Sequence, residues 1–192
     1  LQNGHPKDKY LTFDEIKHKY AFDNKPLLHS VTSVVSNYFE KFVPDKAIEL
    51  MINGRNWPRP QYCEEDGTPF TKERILAQWE SVGELARNQG TLMHADIEQF
   101  LNNGEVTTVI PEFEQFLQFK TDIMEARGIT PYRTEWRVAA PDLSLGGSVD
   151  FVGRTVDGSY VLMDWKRSKN LTKNMYTSYG KKCLKPLSNL PD

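Results

Sequence analysis

Two carboxylates and a lysine in the last quarter of the chain have the residue types and spacing of a metal-dependent hydrolytic site. Asp164-Trp165-Lys166 follows the apolar run 160–163, and Asp150 ends the segment 147–150. Hard carboxylate oxygens bind Mg²⁺ or Mn²⁺, and a lysine ammonium beside them can orient an attacking water or stabilise charge on a phosphate. These residues therefore indicate chemistry on a phosphate.

A β-hairpin is expected to bring these groups together. Residues 148–156 and 160–166 are rich in β-branched and aromatic side chains, which is typical of strands. Asp157-Gly158 lies between them and is suited to the positive φ angles of a tight hairpin turn. We therefore expect the two segments to pair as antiparallel strands.

The register of this hairpin predicts which charged groups meet. A turn centred at residues 157 and 158 places Asp150 opposite Asp164 or Trp165. Alternate side chains of a strand share a face, so Lys166 is expected to point the same way as Asp164. The competing interpretation is a surface hairpin with a cross-strand Lys–Asp pair. The apolar run 160–163 favours the site, because such a strand is expected to be buried on both faces.

Composition indicates a globular protein. A chain of 192 residues with 39% hydrophobic residues can bury one sizeable core. We expect a helical or irregular N-terminal extension over residues 1–70 and a catalytic core over residues 71–192. No apolar stretch approaches the roughly 20 residues that span a bilayer, and two cysteines are too few for a disulfide framework. An intracellular location is expected, with the cytoplasm, the nucleus, the mitochondrion and a virus-infected cell left open.

Charge is unevenly distributed along the chain. The net charge is −2, yet residues 154–192 contain eight basic and three acidic residues. A basic segment directly after a candidate metal site suits a polyanionic substrate, because phosphate contacts dominate nucleic-acid affinity. The alternative is a solvated tail whose lysines serve solubility.

Helices are expected on both sides of the strands. A Ser or Thr cap near Ser30 predicts a helix continuing through Phe39, and Pro44 predicts the start of the next. Further helices are expected over 71–88, over 91–101 after an interruption at Gly90, and from Pro111 to about Gly128, followed by a strand over 132–139. The pattern predicts an α/β fold with a central mixed sheet, flanked by helices, in which an antiparallel hairpin carries the site.

One histidine is placed to join that site. His94 shares a helical face with Ile97, Glu98 and Leu101, so it should point towards the sheet. On spacing alone, a histidine satisfied within the core is the more frequent outcome. On the strand, Glu135 shares a face with Arg137, and an ion pair with Arg137 or Arg133 is its simplest interpretation.

Four blocks in order carry a family resemblance: the helix beginning Gly90-Thr91-Leu92-Met93-His94, the strand with Glu135, Gly147-Ser148-Val149-Asp150, and Asp164-Trp165-Lys166. With Ser30-Val31-Thr32-Ser33-Val34 upstream, the chain resembles the RecB-like branch of the PD-(D/E)XK nuclease superfamily. It is similar in particular to mitochondrial genome-maintenance exonucleases and related phage and viral exonucleases. The resemblance covers about residues 30 to 170 and implies a restriction-endonuclease-like core.

The resemblance implies a role for each matched residue. His94, Asp150, Asp164 and the carbonyl of Trp165 would bind Mg²⁺ or Mn²⁺. Lys166 would act in catalysis with the two aspartates, supported by Glu135. The basic residues expected to contact nucleic-acid phosphates are Arg167, Lys169 and Lys173.

The activity implied is hydrolysis of DNA, with an exonuclease acting on single strands or ends in DNA repair or recombination, and a helicase or other replication partner is possible. Family members usually carry a Gln-x-x-x-Tyr helix after Asp-x-Lys, and the residues after Lys166 contain no Gln. The core is therefore expected to be truncated at its C-terminal end. The alternative function is a cleavage-deficient module that binds nucleic acid or assembles with it.

Overall fold

The computed structural model of the chain describes residues 3–106 and 110–168. Over these residues the protein is a mixed α/β fold, which confirms the predicted class at that level. Two residues predicted to contact nucleic acid, Lys169 and Lys173, lie outside the described residues. Within the described residues, no helix is long and apolar enough to cross a membrane.

Seven strands and four α-helices make up the described elements that matter for the site. The strands are β1 (Leu11–Asp14), β2 (Lys19–Phe22), β3 (Lys25–Pro26), β4 (His29–Ser30), β5 (Thr130–Ala140), β6 (Leu145–Arg154) and β7 (Tyr160–Met163). The helices are α1 (Val31–Ser36), α2 (Pro44–Ile52), α3 (Lys72–Asn103) and α4 (Pro111–Phe119), and a π-helical segment, Lys120–Glu125, follows α4.

The strands form two sheets. In the first, β1, β2 and β3 pair antiparallel in that order. In the second, β6 is central: β5 pairs antiparallel along one side, while β4 pairs parallel and β7 antiparallel along the other. The second sheet is therefore mixed, as predicted.

The chain divides into two compact units. Of the described residues, one unit contains 3–37 and 90–168, and the other contains 38–89. This division does not coincide with the boundary expected at residue 70. The helical or irregular extension expected over residues 1–70 instead contains strands β1 to β4. In the smaller unit, Ile48 and Ile75 are completely buried and the indole of Trp79 donates a hydrogen bond to Tyr62.

The predicted register of the β6–β7 hairpin is confirmed. Phe151 pairs with Met163 and Arg154 with Tyr160, so the next position brings Asp150 opposite Asp164. The turn differs from the prediction, since only Gly158 has a positive φ, of 87°. The amide of Gly158 bonds to the carbonyl of Thr155, and the loop spans three residues, 156–158, instead of two.

The prediction that 160–163 is buried on both faces was wrong. Tyr160 and Leu162 are 55% and 70% exposed, whereas Val161 and Met163 pack against the core. Among the described strands, β7 pairs only with β6 at the margin of the sheet, so one of its faces meets solvent. An apolar run could not by itself distinguish this edge strand from a central one.

The helix predictions hold with two corrections. Ser30 caps α1 through a reciprocal pair of bonds with Ser33, but α1 ends at Ser36 and not at Phe39. Gly90 does not interrupt α3, which continues from Lys72 to Asn103. A glycine inside a helix costs only about 1 kcal/mol, which packing over many turns offsets.

The core of the larger unit lies between the helices and β6. It consists of Met93, Ile97, Leu101, Phe113, Phe116, Met124, Ile129 and Phe151, so the core face predicted for the second half of α3 is confirmed. Trp165 also packs there, with its ring centroid 5.5 Å from that of Phe116 and 5.9 Å from that of Phe119. This anchor holds the backbone that carries Asp164 and Lys166.

Candidate metal centre

Three side chains from three elements converge in the larger unit. His94 comes from α3, Glu135 from β5 and Asp150 from β6. The Nδ1 atom of His94 lies 3.5 Å from Oε1 of Glu135 and 3.6 Å from Oδ2 of Asp150. The three candidate ligand atoms are all within 4.8 Å of one another, which is the spacing of groups that share one ion.

The packing of α3 places His94 in this group. Met93 and Ile97, on either side of it in the sequence, are 6% and 2% exposed and fix the rotation of the helix about its axis. The imidazole then reaches the sheet, as the helical face predicted. Its contacts are carboxylates, which supports the interpretation as a ligand over that of a histidine satisfied within the core.

Glu135 occupies a strained position in the middle of β5. Its φ is 43°, in the left-handed region that a side chain other than Gly rarely adopts and that costs of the order of 1–3 kcal/mol. Its neighbours Thr134 and Trp136 pair with Phe151 and Val149, so Glu135 stands opposite Asp150. Strain and like charge at one position of the sheet are typical of a functional site.

The alternative ion pairs considered for Glu135 are not formed. Arg133 instead binds Asp8 at 2.7 Å, and Arg137 binds Glu15 at 3.4 Å. Glu135 is left facing His94. The supporting role expected for Glu135 therefore becomes that of a candidate ligand.

Asp8 binds residues on both sides of Glu135 in the sequence, Arg133 and Trp136. One carboxylate oxygen of Asp8 accepts from Arg133, and the other accepts from the indole of Trp136 at 3.3 Å. Residues three apart on a regular strand point to opposite faces, so a single carboxylate reaches both only because the backbone turns at Glu135. Nothing in the sequence pattern singled out Asp8, which is 125 residues away from Arg133.

Asp150 is more enclosed than Glu135, whose side chain is 32% exposed. The side chain of Asp150 is 10% exposed, and its Oδ2 accepts the backbone N–H of Trp165 at 2.8 Å. Burial raises the pKa of Asp150 above its usual value, and this outweighs the opposing effects of that hydrogen bond and of His94. A cation beside Asp150 would therefore stabilise its ionised form.

Asp164 and Lys166 lie next to this group without joining it. Asp164 is 63% exposed and binds the ammonium of Lys166 at 2.7 Å, while its carboxylate is not among the three ligand atoms that cluster. The ammonium of Lys166 also donates to the carbonyl of Trp165 at 3.4 Å. Of the four predicted ligands, the structure brings His94 and Asp150 together and adds Glu135.

Charge in the group is unbalanced. The carboxylate of Glu135, and after it the charge of Asp150, raise the pKa of His94 above its usual value, although burial works in the opposite direction. Glu98, one turn along α3, also has a raised pKa because of burial and the nearby charge of Glu135. The site therefore attracts protons, or a metal cation in their place.

The donor set fits a divalent metal ion. Two carboxylate oxygens suit Mg²⁺ and Mn²⁺, and one imidazole nitrogen moves the preference towards Mn²⁺ or another transition metal. The repulsion between Glu135 and Asp150 and the burial of Asp150 are both relieved by a cation.

His94 and Glu135 open into a cleft of about 900 Å³, whereas Asp150, Asp164 and Lys166 are not among the residues that line it. His94, Glu98 and Glu135 line it from one side, and β1 and β2 contribute Leu11, Phe13 and Tyr20. Arg167 takes no part in the wall. It donates to Glu112 and its side chain is 22% exposed, so the phosphate contact predicted for it has no support from its position.

Comparisons of the chain with models of protein families, with curated proteins and with solved structures found no match. The function is therefore inferred from the residues of the site and their geometry.

Proposed function

We propose that this protein is a metal-dependent nuclease that hydrolyses DNA phosphodiester bonds, with single strands or DNA ends as its substrates. The observation that carries the proposal is the convergence of His94, Glu135 and Asp150 within 4.8 Å beside the exposed Lys166. The order of the sequence blocks resembles that of RecB-like PD-(D/E)XK nucleases. A restriction-endonuclease-like core is part of the same proposal.

Each residue has a task that its position allows. His94, Glu135 and Asp150 would hold Mn²⁺ or Mg²⁺, which supplies Lewis-acid stabilisation of the phosphate and activation of water when bound. Lys166 is 67% exposed next to them and can exchange Asp164 for a phosphate oxygen or a water. The ammonium then stabilises negative charge that develops on the phosphate.

Asp164 is proposed as a mobile partner of Lys166 and as a further ligand. Its charge already acts on Asp150, raising the pKa of that group. Its exposure leaves the side chain free to turn, and Trp165 keeps the backbone in place. Release of Lys166 towards a substrate would free the Asp164 carboxylate at the same moment.

One observation favours a second function, a cleavage-deficient module that binds nucleic acid. Lys166 and Asp164 neutralise each other by a direct ion pair. If the pair persists with substrate bound, neither group is available for chemistry. Binding without cleavage would then remain.

A cleavage assay separates the two functions. Single- and double-stranded DNA and RNA, labelled at the 5′ or 3′ end, are incubated with Mg²⁺, Mn²⁺ or EDTA. We expect DNA cleavage that is strongest with Mn²⁺ and absent in EDTA. No cleavage of any substrate under these conditions would refute the nuclease.

The variant Lys166→Ala tests the role of Lys166 in the same assay. We expect it to lower the cleavage rate by about 10²- to 10³-fold, as removal of a group that stabilises charge in the transition state does, and to leave DNA binding largely intact. The matched control is Lys25→Ala, which removes an exposed lysine of β3, in the other sheet. Equal cleavage by the two variants would contradict the role of Lys166.

A further inference from the structure

The first hairpin presents a set of planar groups to the cleft. Phe13 and Tyr20 are paired across β1 and β2, and His18 lies in the turn between these strands. All three rings line the cleft that contains His94 and Glu135, and so does Arg137 of β5. We call Phe13, His18, Tyr20 and Arg137 the aromatic platform.

The members of the platform contact one another. The ring centroids of Phe13 and Tyr20 are 4.5 Å apart, and the imidazole of His18 meets Phe13 edge-on at 5.9 Å. The guanidinium of Arg137 lies 5.4 Å from the centroid of Phe13. Tyr20 is held against the sheet by Gly146, where even a methyl group would lie 2.6 Å from its ring.

Packing alone does not account for these rings. Within the described residues, the buried hydrophobic core contains no residue of this hairpin. Phe13 and Tyr20 are only half-buried and His18 is exposed. An aromatic face that packing leaves open to a cleft can take a flat ligand.

Acidic residues also line the cleft, namely Asp8, Glu15, Glu98 and Glu135, and Arg137 is the platform residue that suits the phosphate of a ligand with a flat group. Arg137 is 44% exposed, and its partner Glu15 is 79% exposed, so this ion pair contributes little and is readily exchanged. Arg133 is 5% exposed and stays with Asp8. Arg137 is therefore the arginine of this wall that can turn to a phosphate.

We propose that the aromatic platform stacks the bases of a single-stranded nucleic acid and so selects single strands for the metal centre. This inference rests on the proposed function. Bases inside a duplex already stack on one another and hide their faces, whereas an unpaired base can lie on an aromatic ring. Stacking does not depend on sequence, because every base has a flat face.

The test compares binding of two strands with and without the Phe13 ring. One is a fluorescent thymidine strand of about twelve nucleotides, a length suited to a single binding site, and the other is an abasic strand with the same backbone. Both are titrated in EDTA, so that cleavage cannot interfere. The variants are Phe13→Leu, which keeps an apolar side chain, and Phe13→Tyr, which keeps the ring.

We expect Phe13→Leu to weaken binding of the thymidine strand by about fivefold to a hundredfold, the range found when a stacking ring is lost, and to leave abasic binding unchanged. Phe13→Tyr should bind like the original protein. The matched control is Tyr160→Leu, since Tyr160 is an exposed ring of the same unit outside the cleft and pairs with Tyr132. It should change neither affinity.

The outcomes separate this inference from the nuclease itself. Equal loss of affinity for both strands in Phe13→Leu, or no loss for either, would overturn the platform. If cleavage is seen but binding is insensitive to Phe13, the platform fails and the nuclease stands. If no cleavage is seen but the base-dependent loss occurs, the platform stands on a protein that binds without cutting.

Discussion

Asp150→Asn should make the protein more stable than the original in the absence of metal and less stable than the original when metal is bound. Without metal, at about pH 8.5, where an imidazole is neutral, the ionised Asp150 and Glu135 repel each other. Their oxygens lie within 4.8 Å of each other, and two unit charges at that separation repel by roughly 3.5 kcal/mol at an effective dielectric constant of about 20. Because Glu135 is 32% exposed, we expect solvent to reduce it to about 1–2 kcal/mol.

The asparagine keeps the contact to the backbone. Its side-chain oxygen can accept the N–H of Trp165 as Asp150 does. We therefore expect the variant without metal to melt about 2–8 °C higher than the original protein, given about 2–4 °C per kcal/mol for a chain of this size. The gain should vanish in acid: the raised pKa of Asp150 means that the penalty develops as pH rises above the ordinary 3.8 and through the raised value.

With Mn²⁺ bound, the original protein should be more stable than Asp150→Asn. An ion at a hundred times its Kd stabilises the folded state by about 2.7 kcal/mol, or about 5–10 °C here. The original protein should gain this with Mn²⁺, and Asp150→Asn should gain little. Thermal melting with and without Mn²⁺, together with calorimetric titration, measures both effects.

The exposed carboxylate of Asp142 offers the control. Asp142→Asn should gain the same stability from Mn²⁺ as the original protein, within experimental error. Two results would refute the reasoning: an Asp150→Asn variant that is less stable than the original protein without metal at this pH, or equal gains from Mn²⁺ in both proteins.

Three further predictions concern the groups around this carboxylate. Mn²⁺ affinity, measured by calorimetry, should fall as the pH drops through the pKa of His94, and the midpoint should lie above 6.5 because that pKa is raised. In His94→Gln the affinity should depend less on pH. A midpoint below 6.5 in the original protein would argue against the effect of the acidic groups around His94. Glu135→Gly should be more stable than Glu135→Ala by about 1 kcal/mol in urea unfolding, because glycine accepts a positive φ, and the opposite order would count against strain at this position. Asp8→Ala should lower the free energy of unfolding by roughly 1–3 kcal/mol, because it removes the carboxylate that pairs with the buried Arg133, whereas Asp14→Ala, which loses an exposed pair, should lower it by less. Equal losses in the two variants would contradict a stabilising role of the Asp8–Arg133 pair.

The local parts of the site could be predicted from sequence. The register that sets Asp150 opposite Asp164 follows from the short loop around Gly158, since a hairpin turn determines the pairing of the strands it joins. The face of α3 that carries His94 follows from the spacing of Met93 and Ile97. Both depend on residues close together in the chain.

Among the predictions from the sequence that were wrong, the end of a helix at Gly90 and the burial of Leu162 each have a physical explanation. Gly90 was expected to end a helix, but a penalty of about 1 kcal/mol is smaller than the packing that continues α3. Leu162 was expected to be buried, yet β7 lies at the margin of the sheet. Propensity and hydrophobicity describe a segment, whereas neighbouring strands determine its exposure.

The sequence by itself determined the hairpin and the helical face that carries His94, because turn chemistry and short-range periodicity decide these features. Only the tertiary structure decided that Glu135, and not Asp164, stands with His94 and Asp150. That choice depends on the positive φ of Glu135, which the carboxylate of Asp8 holds from more than a hundred residues away. A backbone kink maintained by so distant a contact leaves no periodic signal in the chain.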